Sequence, residues 1–192
     1  DTPRPAEGEV LIRVRRAGIC GSEVTGFRGT SDRHKPPLLM GHEFSGQIAG
    51  LGHGTDESSI GQRVTVSPLI SCYQCKACLS GRFNICRYRE LIGVDQPGGF
   101  AQYVTVPASC VYPLPDNMSY TSGALVEPLA NSVHVFRSSI SGLTQGIVIL
   151  GAGTQGLFAL QVAKLIGITP RIITDLEPYR LSLAKKLGAD LT

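Results

Sequence analysis

The sequence predicts two folds in succession, an all-β domain of barrel or sandwich type and then the start of an α/β unit. Three observations predict it. Short alternating runs bounded by Gly or Pro occupy the first part, wholly apolar runs separated by helical periodicity occupy the last, and four cysteines crowd into residues 72–86 within the first part. Short strands with frequent turn signals suit a barrel or sandwich, and buried parallel strands are apolar throughout.

In EVLIRVRR (9–16), Val10, Ile12 and Val14 share one face, and Leu11, Arg13 and Arg15 the other. Such period-two alternation is a half-buried strand. EFSGQIAG (43–50), QRVTVS (62–67) and FAQYVTVP (100–107) read the same way, and PLPDN (113–117) ends the pattern. Residues 119–136 turn helical in character and link two units. GIVIL (146–150) is an apolar strand, followed at once by GAGTQG and then by Phe158, Val162, Leu165 and Ile166 at helical spacing. RIIT (171–174) is a second strand ending in Asp175, and Pro178 opens another helix, where a missing N–H costs nothing.

Composition excludes several classes. The 192 residues suffice for one large or two small domains, and the net charge of +3 is not gathered into a basic run. That makes no case for nucleic acid or a membrane surface, and no apolar stretch is long enough to span a bilayer. No signal peptide is visible, although the chain starts at Asp1 without a Met and both ends read as cut. A secreted disulfide framework would be smaller and denser in cysteine, so a cytoplasmic location is expected.

The cluster CYQCKACLSGRFNIC places Cys72, Cys75, Cys78 and Cys86 at intervals that let thiolates from one tight turn reach one ion. Lys76, Arg82 and Arg87 offset the charge of four thiolates. The spacing favours structural zinc. An iron–sulfur cluster is the competitor, but the ferredoxin run has a third gap of three followed by Pro, and here the gap is seven without it.

A closed four-thiolate site supports a fold and does no chemistry, so the chemistry must lie elsewhere. Cys20 in AGICGSE, His42 and Glu43 in LMGHEFSG and Glu127 in ALVEPLA are candidate ligands, each a weak signal alone. The glycines of GAGTQG say more, because they sit between a predicted strand and a predicted helix. Gly151 permits the tight turn, Gly153 lets backbone approach a pyrophosphate, and Gly156 lets helix and strand pack closely. With Thr154 and Gln155 they open a helix whose N-terminus favours phosphate. Asp175 would accept the ribose hydroxyls and repel a 2′-phosphate, which favours NAD over NADP. Arg180 lies either near the adenosine or on a polar helix face.

GICGSE, GHEFSG, the cysteine cluster, GGFAQYV, EPLA and GAGTQG stand in the order found in the zinc-dependent medium-chain dehydrogenases, and the chain resembles the polyol and sugar-alcohol-phosphate branch of that family. The resemblance implies a GroES-like β-barrel catalytic domain over 1–116, with a structural-zinc lobe at about 70–90. Residues 117–192 would then hold the linking helix and the first βαβ unit of an incomplete Rossmann NAD-binding domain. It implies two zinc ions. Cys72, Cys75, Cys78 and Cys86 would hold the structural one, and Cys20, His42 and Glu127 the catalytic one, with Glu43 either a further ligand or just behind the metal. It gives Ser22 the role of passing on the substrate proton and Glu23, where the family usually has Asp, that of orienting His42. Thr25 and Gly26 depart from the family's usual His and aromatic residue, which puts sorbitol itself in doubt.

The implied reaction is reversible oxidation of a secondary alcohol, with zinc as Lewis acid and hydride leaving on NAD. A homodimer or homotetramer is expected. The chain reads as part of a longer enzyme and is not expected to turn over alone. The alternatives are a relative that has lost catalysis and a zinc-binding interaction module. The second would need a basic, aromatic face and has no use for Asp175 or Glu127.

Overall fold

The computed structural model describes residues 1–140 and 144–192. These form two compact units, Asp1–Glu127 and Pro128–Thr192.

The first unit is built on β1 (Glu9–Ala17), β2 (Phe44–Leu51), β3 (Arg63–Val66), β6 (Tyr103–Pro107) and β7 (Val111–Pro113). They make one antiparallel sheet in the order β6-β1-β2-β3-β7. Ile12 pairs with Ile48 on one side and Val104 on the other. Val10 and Ile12 are buried with Phe44, Ile48, Val64, Val66, Val104 and Val106, as the alternation requires. Register is held because a one-residue slip would turn this whole set to the other face. Between β1 and β2 lies α1 (Gly21–Phe27). The cysteine-bearing lobe carries β4 (Leu69–Ile70), α2 (Lys76–Leu79) and β5 (Glu90–Leu91). The short pair β4–β5 was not visible in the sequence, since two residues carry no periodicity.

The expected boundary at 116/117 differs from the contact pattern, which keeps residues 117–127 with the first unit. The cause is α3 (Tyr120–Ala124). Thr65 Oγ1 donates to the Gly123 carbonyl at 2.8 Å. A Cβ on Gly123 would lie 2.7 Å from Leu114 Cδ1 and 3.0 Å from Ser45 Cβ, so a bare Cα lets this helix sit directly on the sheet. α4 (Val126–Ser139) follows.

The second unit holds β8 (Ile147–Leu150), α5 (Thr154–Leu165), β9 (Arg171–Thr174) and α6 (Pro178–Leu187). β8 and β9 are parallel, with Ile149 opposite Ile173, and those two residues pack with Ala152, Leu160 and Ala184. Of the residues expected to share one face of α5, Val162 is buried, together with Leu160 and Ala163, whereas Leu165 is 86% and Ile166 51% exposed. Helix α5 is apolar on most sides, so periodicity alone could not choose its inner face. Among the described residues no helix is long and apolar enough to cross a membrane.

Candidate metal centres and dinucleotide turn

The four clustered cysteines converge, and all are free thiols. Their Sγ atoms stand 3.5 Å (Cys72–Cys86), 3.6 Å (Cys75–Cys78) and 3.9 Å (Cys72–Cys78 and Cys75–Cys86) apart. Four sulfurs at ~2.3 Å from one tetrahedral ion stand about 3.8 Å from each other, so the set fits a single ion. Sulfurs that each bind a different iron of a cluster must stand wider, and disulfide sulfurs far closer. The turn is tight enough to put Tyr73 in the left-handed region, at φ 56. The thiols are unequal. The Cys78 backbone N–H pulls Cys75 down to about 6, while burial pushes Cys78 up to about 12.

The second cluster is assembled from distant segments. Cys20 is the N-cap of α1, and His42 and Glu43 immediately precede β2. Their donor atoms all lie within 4.8 Å of one another. Buried Glu23, in the first turn of α1, joins the two segments. Its Oε2 accepts the Cys20 N–H at 2.8 Å and its Oε1 the His42 N–H at 3.1 Å. The same Oε1 lies 3.1 Å from His42 Nδ1, off the N–H direction, so this is a charge contact and not an aligned hydrogen bond. His42 Nε2 is thereby left facing Glu43 Oε1, at 4.0 Å. The Glu23 carboxylate raises His42 to about 9. Burial alone would raise Glu23, but its contacts with His42 and the backbone N–H groups outweigh that and hold it below its ordinary value. Burial pushes Glu43 up.

Glu127 stands apart from this set. It is not among the mutually close donors, and its charge acts on His42 and Glu43 by helping to raise both. Ser22 is exposed on the first turn of α1. Gly26 owes its identity to packing, because a Cβ there would lie 2.7 Å from Cγ of buried His34. The sequence reading missed His34, since nothing in its local sequence announces burial.

The turn after β8 has the form its glycines predict. Gly151 adopts φ 100, and a Cβ on Gly156 would lie 1.9 Å from the Gly151 carbonyl oxygen. A Cβ on Gly153 would meet nothing within 4 Å. That is open space above the N-terminus of α5, whose N-cap Gly153 supplies no side-chain bond. Thr154 and Gln155 are exposed in the first turn, and Ser132 Oγ lies 3.3 Å from the Gln155 carbonyl oxygen. Asp175 accepts the Glu177 N–H at 2.9 Å and the Ala152 N–H at 2.7 Å, and these hold its carboxyl below the usual range. Arg180 Nη1 lies 3.6 Å from Asp175 Oδ2. Gly151, Asp175, Glu177 and Arg180 help line a cavity of about 520 Å³.

Residues 6–116 match the family model of the alcohol dehydrogenase GroES-like domain. The chain belongs to that family. An L-threonine 3-dehydrogenase of Alteromonas mediterranea is 37% identical over 197 residues, covering 100% of this chain and 58% of the relative. A solved E. coli CFT073 short chain alcohol dehydrogenase complexed with NADH superposes at TM-score 0.94, with 34% identity over 100% of this chain and 56% of that one. Galactitol-1-phosphate dehydrogenase from Escherichia coli gives 0.93, with 34% identity and the same coverage. A Sinorhizobium meliloti 1021 zinc-binding dehydrogenase bound to NADP gives 0.91, with 36% identity over 99% of this chain and 55% of that one. The chain thus spans little more than half the length of the family members it matches.

Proposed function

We propose that the whole protein is a zinc-dependent dehydrogenase. It moves hydride between NAD and a secondary alcohol, a polyol or sugar alcohol with or without a phosphate. The observation that carries this reading is the Cys20–His42–Glu43 cluster, a mixed thiolate, imidazole and carboxylate set of three donors, one fewer than a tetrahedral zinc takes. Zinc held there would polarise the alcohol oxygen as a Lewis acid, and the nicotinamide would take the hydride.

The chain's own residues do the rest. Glu23 pins the backbones of Cys20 and His42 and keeps the imidazole turned with Nε2 inward. Exposed Ser22 passes the alcohol proton outward. Gly153 leaves the backbone of the turn open to a pyrophosphate, and Asp175 favours a ribose with free hydroxyls over one with a 2′-phosphate. The four-cysteine lobe holds a second, structural zinc, which makes two per chain. The enzyme is a cytoplasmic homodimer or homotetramer.

The full-length protein should reduce NAD when given a panel of polyols, polyol phosphates and L-threonine, itself a secondary alcohol. NADH formation by none of them would favour a relative that has lost catalysis. Turnover with NADP alone would overturn the role given to Asp175.

A further inference from the structure

We infer that Gly18 is a positioning residue for the open metal centre: its missing side chain admits the Glu43 carboxylate to the Cys20–His42 pair. This rests on the reading of Cys20, His42 and Glu43 as metal ligands. A Cβ built on Gly18 would lie 2.4 Å from Glu43 Oε2, 3.2 Å from its Cβ and 3.4 Å from its Cδ. Space is the reason for glycine here. Gly18 is absent from the residues with positive φ, so its backbone conformation is open to any residue. Its N–H donates to the Glu43 carbonyl at 2.7 Å, a bond that alanine would keep.

The two carboxylate oxygens are therefore divided. Oε1 faces His42 Nε2 at 4.0 Å, and Oε2 rests against the bare Cα of Gly18. The closest approach, 2.4 Å, is to the far end of a rotatable side chain, and the 3.2 Å contact with Glu43 Cβ asks the backbone to yield only slightly, so a methyl at position 18 acts chiefly by turning the carboxylate. Cys20 and His42 would not follow, because Glu23 holds both of their N–H groups from α1. Gly18→Ala thus withdraws one donor of three while every ligand residue remains in the sequence.

The experiment uses full-length protein with cobalt(II) replacing zinc at this centre, where the visible absorption reports ligand number and geometry without substrate or nucleotide. Gly18→Ala should weaken metal binding by about 10–100-fold, the range seen when a residue supporting a ligand is lost. Its spectrum should move toward that of Glu43→Ala. The double variant should bind metal no more weakly than Glu43→Ala alone, because the methyl then has no carboxylate to displace. A wild-type spectrum and affinity for Gly18→Ala would overturn the inference, as would losses that simply add in the double variant. If Gly18→Ala fails to fold, the double variant decides. Recovery of folding supports a clash with Glu43, and continued failure overturns it. Wild-type protein that binds cobalt here but oxidises no alcohol would count against the proposed function alone.

Discussion

Gly153→Ala and Gly156→Ala, one residue type in one turn, should fail in opposite ways. A Cβ on Gly156 would sit 1.9 Å from the Gly151 carbonyl oxygen and 3.0 Å from its carbon. Both are backbone atoms, so no rotamer relieves the clash, and β8 and α5 must move apart by about an ångström. Ile149 and Leu160 pack across that junction. Overpacking of this kind costs about 1–3 kcal/mol. A Cβ on Gly153 would meet nothing. Its φ of −75 suits alanine, so a weaker N-cap and a less flexible unfolded chain nearly cancel, each below ~1 kcal/mol. The methyl would, however, fill the space left for a pyrophosphate, and a tenfold loss of nucleotide affinity corresponds to about 1.4 kcal/mol. Denaturant melts and calorimetric NAD titration of full-length variants separate the two. Gly156→Ala should lose stability, and Gly153→Ala should keep stability and lose at least tenfold in affinity. Normal NAD binding by Gly153→Ala, or equal destabilisation by both, would refute the reasoning.

Cys78→Ser should lower the zinc content and destabilise the protein, since a metal held by these four thiolates would be coupled to folding; elemental analysis and melts check this. Glu23→Gln puts an amide NH₂ against one of the two N–H groups that Glu23 accepts, so metal affinity at Cys20–His42–Glu43 should fall about 10–100-fold, measured by chelator competition. Asp175 has its pKa lowered by folding, so its stabilisation is present above the ordinary carboxylate range and is lost as pH falls through the folded value. The stability gap between wild type and Asp175→Asn should therefore be full at neutral pH and close in acid, and a gap that is constant with pH would count against it. Glu127→Gln should retain bound metal better than Glu43→Gln does, because Glu127 lies outside the set of close donors.

Legibility in the sequence tracked how local each feature is. Val10 and Ile12 face the core because alternation along one strand is a property of that strand. The four-thiol site was readable because its ligands lie within one short loop, where spacing nearly dictates geometry. The glycine turn was readable because its demands are local, a positive φ at Gly151 and the close approach of Gly156 to the Gly151 carbonyl. The inner face of α5 was not, since Leu160 and Leu165 are equally apolar and only the sheet beneath distinguishes them.

What the sequence determined by itself was chemistry and its order: thiols that can close on one ion, a turn that can receive a phosphate, and an acid at the end of the next strand. What only the tertiary structure decided was which distant donors meet. Cys20 and His42 belong to different segments, and they come together because β1 and β2 pair and Glu23 accepts an N–H from each. Glu43 joins them through the empty side of Gly18, whereas Glu127 remains outside the set. The physical reason is that local geometry follows from short-range covalent connection, while a site gathered across a sheet depends on register, burial and the volume left by absent side chains.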